Sequence, residues 1–220
     1  EIPGVFGGCS SLEAVNVAEN SPYLTSIDGV VFNKSVTEIL FFPQGRSTEY
    51  YLPETVTSIA SGVFSGVKKL KKLHVSNSIT NIGEQAFKEA AITSILFEGE
   101  VFGEELVIGT SAFEGATIGK LKLPRHTTVI SDRAFAKANA SEIQLNEGIV
   151  SLGNEAFRGA TVVTKMSIPT TVKTMGEYCF AAETNSPNVE LPAVGGQLES
   201  ISNYAFYKNT KIKTINIPAT

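Results

Sequence analysis

At 220 residues, with 42% hydrophobic and 18% charged side chains, the chain can build a substantial core, which excludes intrinsic disorder. A net charge of −4 with both signs interspersed excludes a nucleic-acid patch or a polybasic membrane anchor. No apolar run reaches the length of a bilayer span, so membrane insertion by this segment is not expected.

In chain order, the predicted elements are copies of one unit. The first closes at Phe6, and the strand after it displays Ala14 and Asn16. The second, at 26–53, is irregular: Ser26-Ile-Asp-Gly-Val-Val-Phe-Asn-Lys34 runs on to Leu40-Phe-Phe-Pro43, and Tyr50-Tyr-Leu-Pro53 adds another strand-like piece. Alternation counted from Phe32 sets Leu40 and Phe42 inside and leaves Ile39 and Phe41 outside, with Tyr51 also outward. Regular copies then close at Phe64, Phe87, Phe113, Phe135, Phe157, Phe180 and Phe206, with gaps of 23, 26, 22, 22, 23 and 26 residues. A period of that size marks a solenoid, in which each coil buries its apolar face only against its neighbours.

Each column of the unit has its own physical reading. The segment before the ring runs aliphatic, small, two polar, small, Phe, as in Ile82-Gly-Glu-Gln-Ala-Phe87 and Leu152-Gly-Asn-Glu-Ala-Phe157. The small residue after the aliphatic suits a tight bend, and the Ala leaves room for a ring that fills the coil and stacks on its neighbours. After the ring, Leu70-x-x-Leu73-x-Val75, Ile118-x-x-Leu121-x-Leu123 and Val163-x-x-Met166-x-Ile168 end in alternation, so each reads as a short strand. Stacked strands pair as one parallel ladder, about 4.8 Å per coil, and the proline that usually follows ends the pairing.

The expected fold is thus a right-handed repeat solenoid with a parallel sheet on one face, short turns or 3₁₀ pieces elsewhere, and the Phe spine inside. Residues 1–220 read as one array of about nine coils. Extra residues at Gly99–Glu105 and Ala193–Gln197 fall in the same arc of the coil and should bulge from one common side. Both ends cut through a repeat without a capping unit, which points to a piece of a longer protein and to end-to-end self-association through bare strand edges.

The repeated unit resembles the BspA-type leucine-rich repeat, L-x-x-I-x-I-P-x-x-V-x-x-I-G-x-x-A-F-x-x-C, over essentially the whole chain. The Asp28-Gly-Val-Val-Phe32 stretch is similar to the variant unit that interrupts such arrays. The resemblance implies a leucine-rich-repeat superhelix in a secreted or cell-surface bacterial protein used for adhesion or partner recognition. Two departures stand out. Only Cys9 holds the cysteine three residues after the Phe, where Val67, Ala90, Ala116, Ala138 and Ala160 stand in other copies. The buried asparagine column of the commoner leucine-rich repeats is also missing.

Signals of chemistry are weak. Cys9 and Cys179 are too far apart in the stack to bridge and occupy small-residue columns, so both read as packing. His74 points outward beside Lys72, and His126 sits in a turn in solvent. No clustered ligands suggest a metal, no cofactor motif is present, and catalysis within the chain is not expected. The outward ribbon of the sheet is polar except in the irregular unit. The candidate binding residues are therefore Phe41 and Tyr51 as aromatic anchors, with Lys72 and His74 as polar partners on the next strand. The favoured reading is a protein-interaction module for adhesion to a host or matrix protein. A carbohydrate-binding surface, or an accessory array beside a catalytic domain elsewhere in the protein, are the alternatives.

Overall fold

The computed structural model describes residues 2–99, 104–183, 185–191 and 196–215. It is a β-solenoid whose core is a column of phenylalanines. The rings of Phe64, Phe87, Phe113, Phe135, Phe157, Phe180 and Phe206 stack in sequence, centroids 4.8–5.6 Å apart and planes within 9°. That spacing is close to the distance between hydrogen-bonded strands, so the backbone ladder sets the ring stack. Two of the nine expected spine members lie elsewhere. Phe32 is buried within the irregular unit, and its place beneath Phe64 is taken by Phe42, 5.0 Å away. Phe6 packs on Phe41 at 5.0 Å.

The irregular unit supplies β1 (Leu24–Ile27), β2 (Val30–Asn33), β3 (Glu38–Phe41) and β4 (Thr48–Tyr51). Asp28 and Gly29 both take positive φ, 49° and 73°, which is the two-residue turn that joins β1 to β2 as an antiparallel hairpin. The following coils contribute β5 (Ser58–Ile59), β6 (Leu70–Ser76), β7 (Asn81–Ile82) and β8 (Ala91–Glu98).

The alternating segments after each ring form the predicted parallel ladder: β4, β6 and β8, then Thr117–Lys122, Asn139–Gln144 and Thr161–Val162. A second ladder, not expected from the sequence, runs through the aliphatic column. It joins β1, β2, β3, β5 and β7 to Leu106–Ile108, Thr127–Ile130, Ser151–Leu152, Thr174–Met175 and Ser200–Ile201. The glycine after that column is therefore not a bend residue. A Cβ on Gly109 would come within 2.6 Å of the Ile82 carbonyl oxygen, and on Gly176 within 2.4 Å of the Asn154 nitrogen. Gly there lets one coil close on the last.

The first ladder breaks after Thr161–Val162. Val162 is buried and Val163 is 72% exposed, the reverse of the expected inward Val163. Three residues separate Val162 from the buried Met166, where two separate Ile118 from Leu121, so one extra residue interrupts the pairing. Met166–Ser167 then pairs with Val189–Glu190 as a separate two-stranded sheet.

The Phe-bearing wall is built of turns; no 3₁₀ helix occurs among the described residues. Ala86, Lys88 and Ala90 each donate to the carbonyl three residues back, while Gln85, Phe87 and Glu89 donate to Thr110, Ala112 and Glu114 of the next coil. This alternation comes with left-handed backbone two residues before each ring of the stack and two after every ring but Phe180. Gln85, Ser111, Arg133, Glu155, Tyr178 and Tyr204 hold the first column at φ 54–60°, and Glu89, Lys137 and Lys208 share the second with Gly66, Gly115 and Gly159. The segment 12–17 forms no strand, so Ala14 and Asn16 are not part of the displayed sheet. Gly99–Glu105 and Ala193–Gln197 lie largely outside the described residues.

Candidate functional site

Alternation along β4 turns Tyr50 and Leu52 into the core and leaves Glu49 and Tyr51 on the outer face. The parallel register then sets Glu49 beside Lys72 and Tyr51 beside His74. The Tyr51 ring, 63% exposed, stacks on the His74 imidazole with centroids 3.9 Å apart and planes 11° from parallel. The Tyr51 hydroxyl donates to Glu49 Oε1 at 3.1 Å, and the Lys72 ammonium lies 3.6 Å from the same oxygen. His74 Nε2 is 2.5 Å from Glu49 Oε1, and Nδ1 is 2.8 Å from Glu98 Oε2 at the end of β8. Both ring nitrogens face carboxylates, so both donate, which is the imidazolium form.

Three of the four candidates, Tyr51, Lys72 and His74, thus form one cluster. Phe41 is not part of it. It is 4% exposed, because β3 belongs to the aliphatic-column ladder, with Ile39 opposite Ile59, and not to the outer ladder. A shift in the β2–β3 register between Val31 and Phe32 lets Ile39, Phe41 and Phe42 all turn inward. Phe41 is a core residue.

Glu49 and Glu98 are site residues that the sequence reading left out. Glu98 lies opposite Ser76 on β6, two residues beyond His74, and that register is the signal that could have found it. Other expectations change as well. Cys9 is exposed while Cys179 is buried, and burial pushes the Cys179 thiol pKa up. His126 is not solvated: Nε2 donates to the Ile79 carbonyl at 2.8 Å, and Nδ1 is buried. A second aromatic group also appears at the far end of the chain. Tyr178 and Tyr204 stack at 5.0 Å in their left-handed column, with Tyr207 edge-on to both. Tyr204 is 58% and Tyr207 44% exposed.

The electrostatics of the first cluster favour a held cation over a catalytic base. Burial alone would keep His74 neutral, but hydrogen bonds to Glu98 and Glu49 outweigh it and raise its pKa above the ordinary imidazole value. Hydrogen bonds from His74 and Tyr51 hold the Glu49 carboxyl below its usual range. The ion pairs therefore contribute fully below about pH 6.5, the unfolded imidazole value, and are lost as pH rises through the raised folded value. At the acid end the Glu49 share is lost as pH falls through its depressed value. In thermal melts, the gap in Tm between the parent and His74→Gln should be widest near pH 6 and shrink by pH 9. A gap independent of pH would show that His74 is not charged in the fold.

Beside the cluster, an open depression of about 650 Å³ lies between the β1–β2 corner at Ile27 and Asp28 and the run from Tyr50 to Glu54. Among the described residues no group of His, Cys, Asp and Glu is arranged to hold a metal ion. No described helix is long and apolar enough to cross a membrane.

Comparison with known proteins fits this geometry. The family profile described as BspA type leucine rich repeat region matches six copies, over residues 40–103 and 106–220. The crystal structure of the pneumococcal vaccine antigen PcpA is similar over 93% of this chain and 42% of that one, with 22% identity and a TM-score of 0.56. A leucine-rich repeat protein from Eubacterium ventriosum is similar over 93% of this chain and 54% of its own, with 20% identity and a TM-score of 0.62. At these identities the likeness is one of fold, and the chain spans about half the length of either protein. Comparison with curated proteins finds no match.

Proposed function

Because the chain belongs to the BspA-type leucine-rich repeat family, we propose that it is the non-enzymatic protein-binding array of a secreted or cell-surface bacterial protein, used for adhesion to a host or matrix protein. The observation that carries this reading is the Tyr51–His74 stack. An aromatic ring 63% exposed, held flat against a neighbour and tied through its hydroxyl, presents apolar area with little entropy left to lose on binding. Elsewhere the outer ribbon offers Lys120 and Lys122, Glu142 and Gln144, or Lys165 and Ser167, which suit a rim better than an anchor. The likeness of fold to a pneumococcal vaccine antigen supports the extracellular setting.

The reading is tested on an array of purified extracellular-matrix and host-surface proteins. A partner captured by the parent should bind Tyr51→Ala at least tenfold more weakly, with no loss of thermal stability beyond a few degrees. Equal capture by the variant would remove Tyr51 as the anchor and the reading with it. A carbohydrate surface is the second reading, favoured by the exposed Tyr178, Tyr204 and Tyr207 group, whose rings could stack on sugars. It would replace the first if a glycan array gave binding that Tyr204→Ala abolished and Tyr51→Ala left intact.

A further inference from the structure

In a parallel ladder, alternate residues of a strand bond to one neighbour and the rest to the other. The Leu52 amide donates to the His74 carbonyl, which fixes the phase of β4 from Glu49 to Tyr51: the amide and carbonyl of Tyr50, like the Leu52 amide, face β6. Those of Glu49 and Tyr51 therefore face the opposite, open edge. Among the described residues neither amide meets an acceptor and neither carbonyl a donor.

A regular array would cover this edge with the preceding coil, and Leu12-x-x-Val15-x-Val17 carries the strand pattern needed. That segment is engaged elsewhere. The Val15 amide donates to the Gly29 carbonyl and the Val17 amide to Ser26 Oγ, so the β1–β2 corner holds it away. The depression described above opens at this edge, with Ile27 (38% exposed) on its far side and Leu52 and Pro53 along its near side. Its charged lining is Asp28, Glu54, Glu98 and His74, and His74 is already enclosed by Glu49 and Glu98.

We infer that the open edge of β4 is a docking strand for an extended, basic peptide segment of a partner protein, which adds to the sheet beside Glu49 and Tyr51. The segment would exchange hydrogen bonds with those two residues, seat one apolar side chain between Ile27 and Leu52, and set its cations against Asp28 and Glu54. Alternating side chains fit, since only every second one faces the depression. The Tyr51 ring stands on the outer face of the same strand, so one partner would meet both anchor and edge. The inference rests on the proposed protein-binding role of this unit and adds to it the mode of contact.

The test uses the whole chain and an end-blocked nonapeptide of alternating Lys and Val, with two controls: the same peptide with Glu for Lys, and one N-methylated at every second residue so that it cannot bond along one edge. Amide exchange at Glu49 and Tyr51 should be fast in the free protein and slow at least tenfold on addition of the Lys–Val peptide. Its affinity should exceed that of either control at least tenfold. Binding that leaves the two amides unprotected, equal binding of the N-methylated peptide, or no saturable binding at millimolar peptide would overturn the edge mode. So would amides that become protected with rising protein concentration alone, which would assign the edge to a second copy. Failure of the peptide test with partner capture still sensitive to Tyr51→Ala would sink only the edge mode. Capture insensitive to Tyr51→Ala would sink the binding role itself.

Discussion

Replacing Phe113 with Ala is expected to destabilise the protein by about 3–5 kcal/mol. The ring is fully buried and stacked on both faces, 4.8 Å from Phe87 and 4.9 Å from Phe135, with planes within 2° of each. The wall around it cannot collapse into the space. The Phe113 amide donates to Ala134 and Ala112 accepts from the Phe87 amide, so the backbone at this level is tied to the coils on either side. The cavity would therefore remain, and the loss would combine the ring's transfer energy with the contacts forfeited by its neighbours. Because each coil contacts only the next, one missing ring weakens two interfaces at once. Among the described residues the Phe206 ring stacks only on Phe180, and it is half-buried, so Phe206→Ala should cost markedly less. Urea denaturation of both variants checks the pair. A loss below about 1 kcal/mol for Phe113→Ala would mean that the spine is not the stabilising core.

The spine was legible because its signal is redundant: one Phe repeated at a nearly constant interval, five of the seven regular copies with Ala before it. The outer strands were legible for a similar reason, since alternation over five or six residues survives small errors in register. The aliphatic-column ladder was not, because its strands are as short as the two residues of Asn81–Ile82 or Ser151–Leu152, too few to show a period. The left-handed columns were signalled by Gly66, Gly115 and Gly159 two residues after their rings. The glycine after the aliphatic residue also recurs but serves close approach, so glycine alone does not mark the left-handed positions. At Val163 the chain carries one residue more than the repeat pattern, and an insertion of one residue turns a strand over.

The site was legible in half. The outward positions of Tyr51, Lys72 and His74 follow from alternation within their own strands. Glu49 and Glu98 join them only through the register between strands β4, β6 and β8, which alternation within one strand does not fix. The same limit explains Phe41. Its inward or outward sense depended on which ladder β3 joins, and nothing local to Glu38–Phe41 distinguishes the two.

Phe41→Ala should accordingly behave as a core mutation, costing about 3–4 kcal/mol, while Tyr51→Ala costs less than about 1 kcal/mol. Phe41 is 4% exposed and its ring lies 5.0 Å from Phe6, so truncation opens a space at the end of the solenoid where β3 meets the start of the chain. Tyr51 loses its stack on His74 and its hydrogen bond to Glu49, both at a surface where water replaces them. The His74 ion pairs with Glu49 and Glu98 do not pass through the tyrosine and should persist in the variant. Equilibrium denaturation separates the two residues cleanly. A Phe41→Ala variant as stable as the parent would return that ring to the surface and reopen it as an anchor. A Tyr51→Ala variant that lost several kcal/mol would make the stack part of the fold, and any binding defect in it would then report unfolding and not recognition.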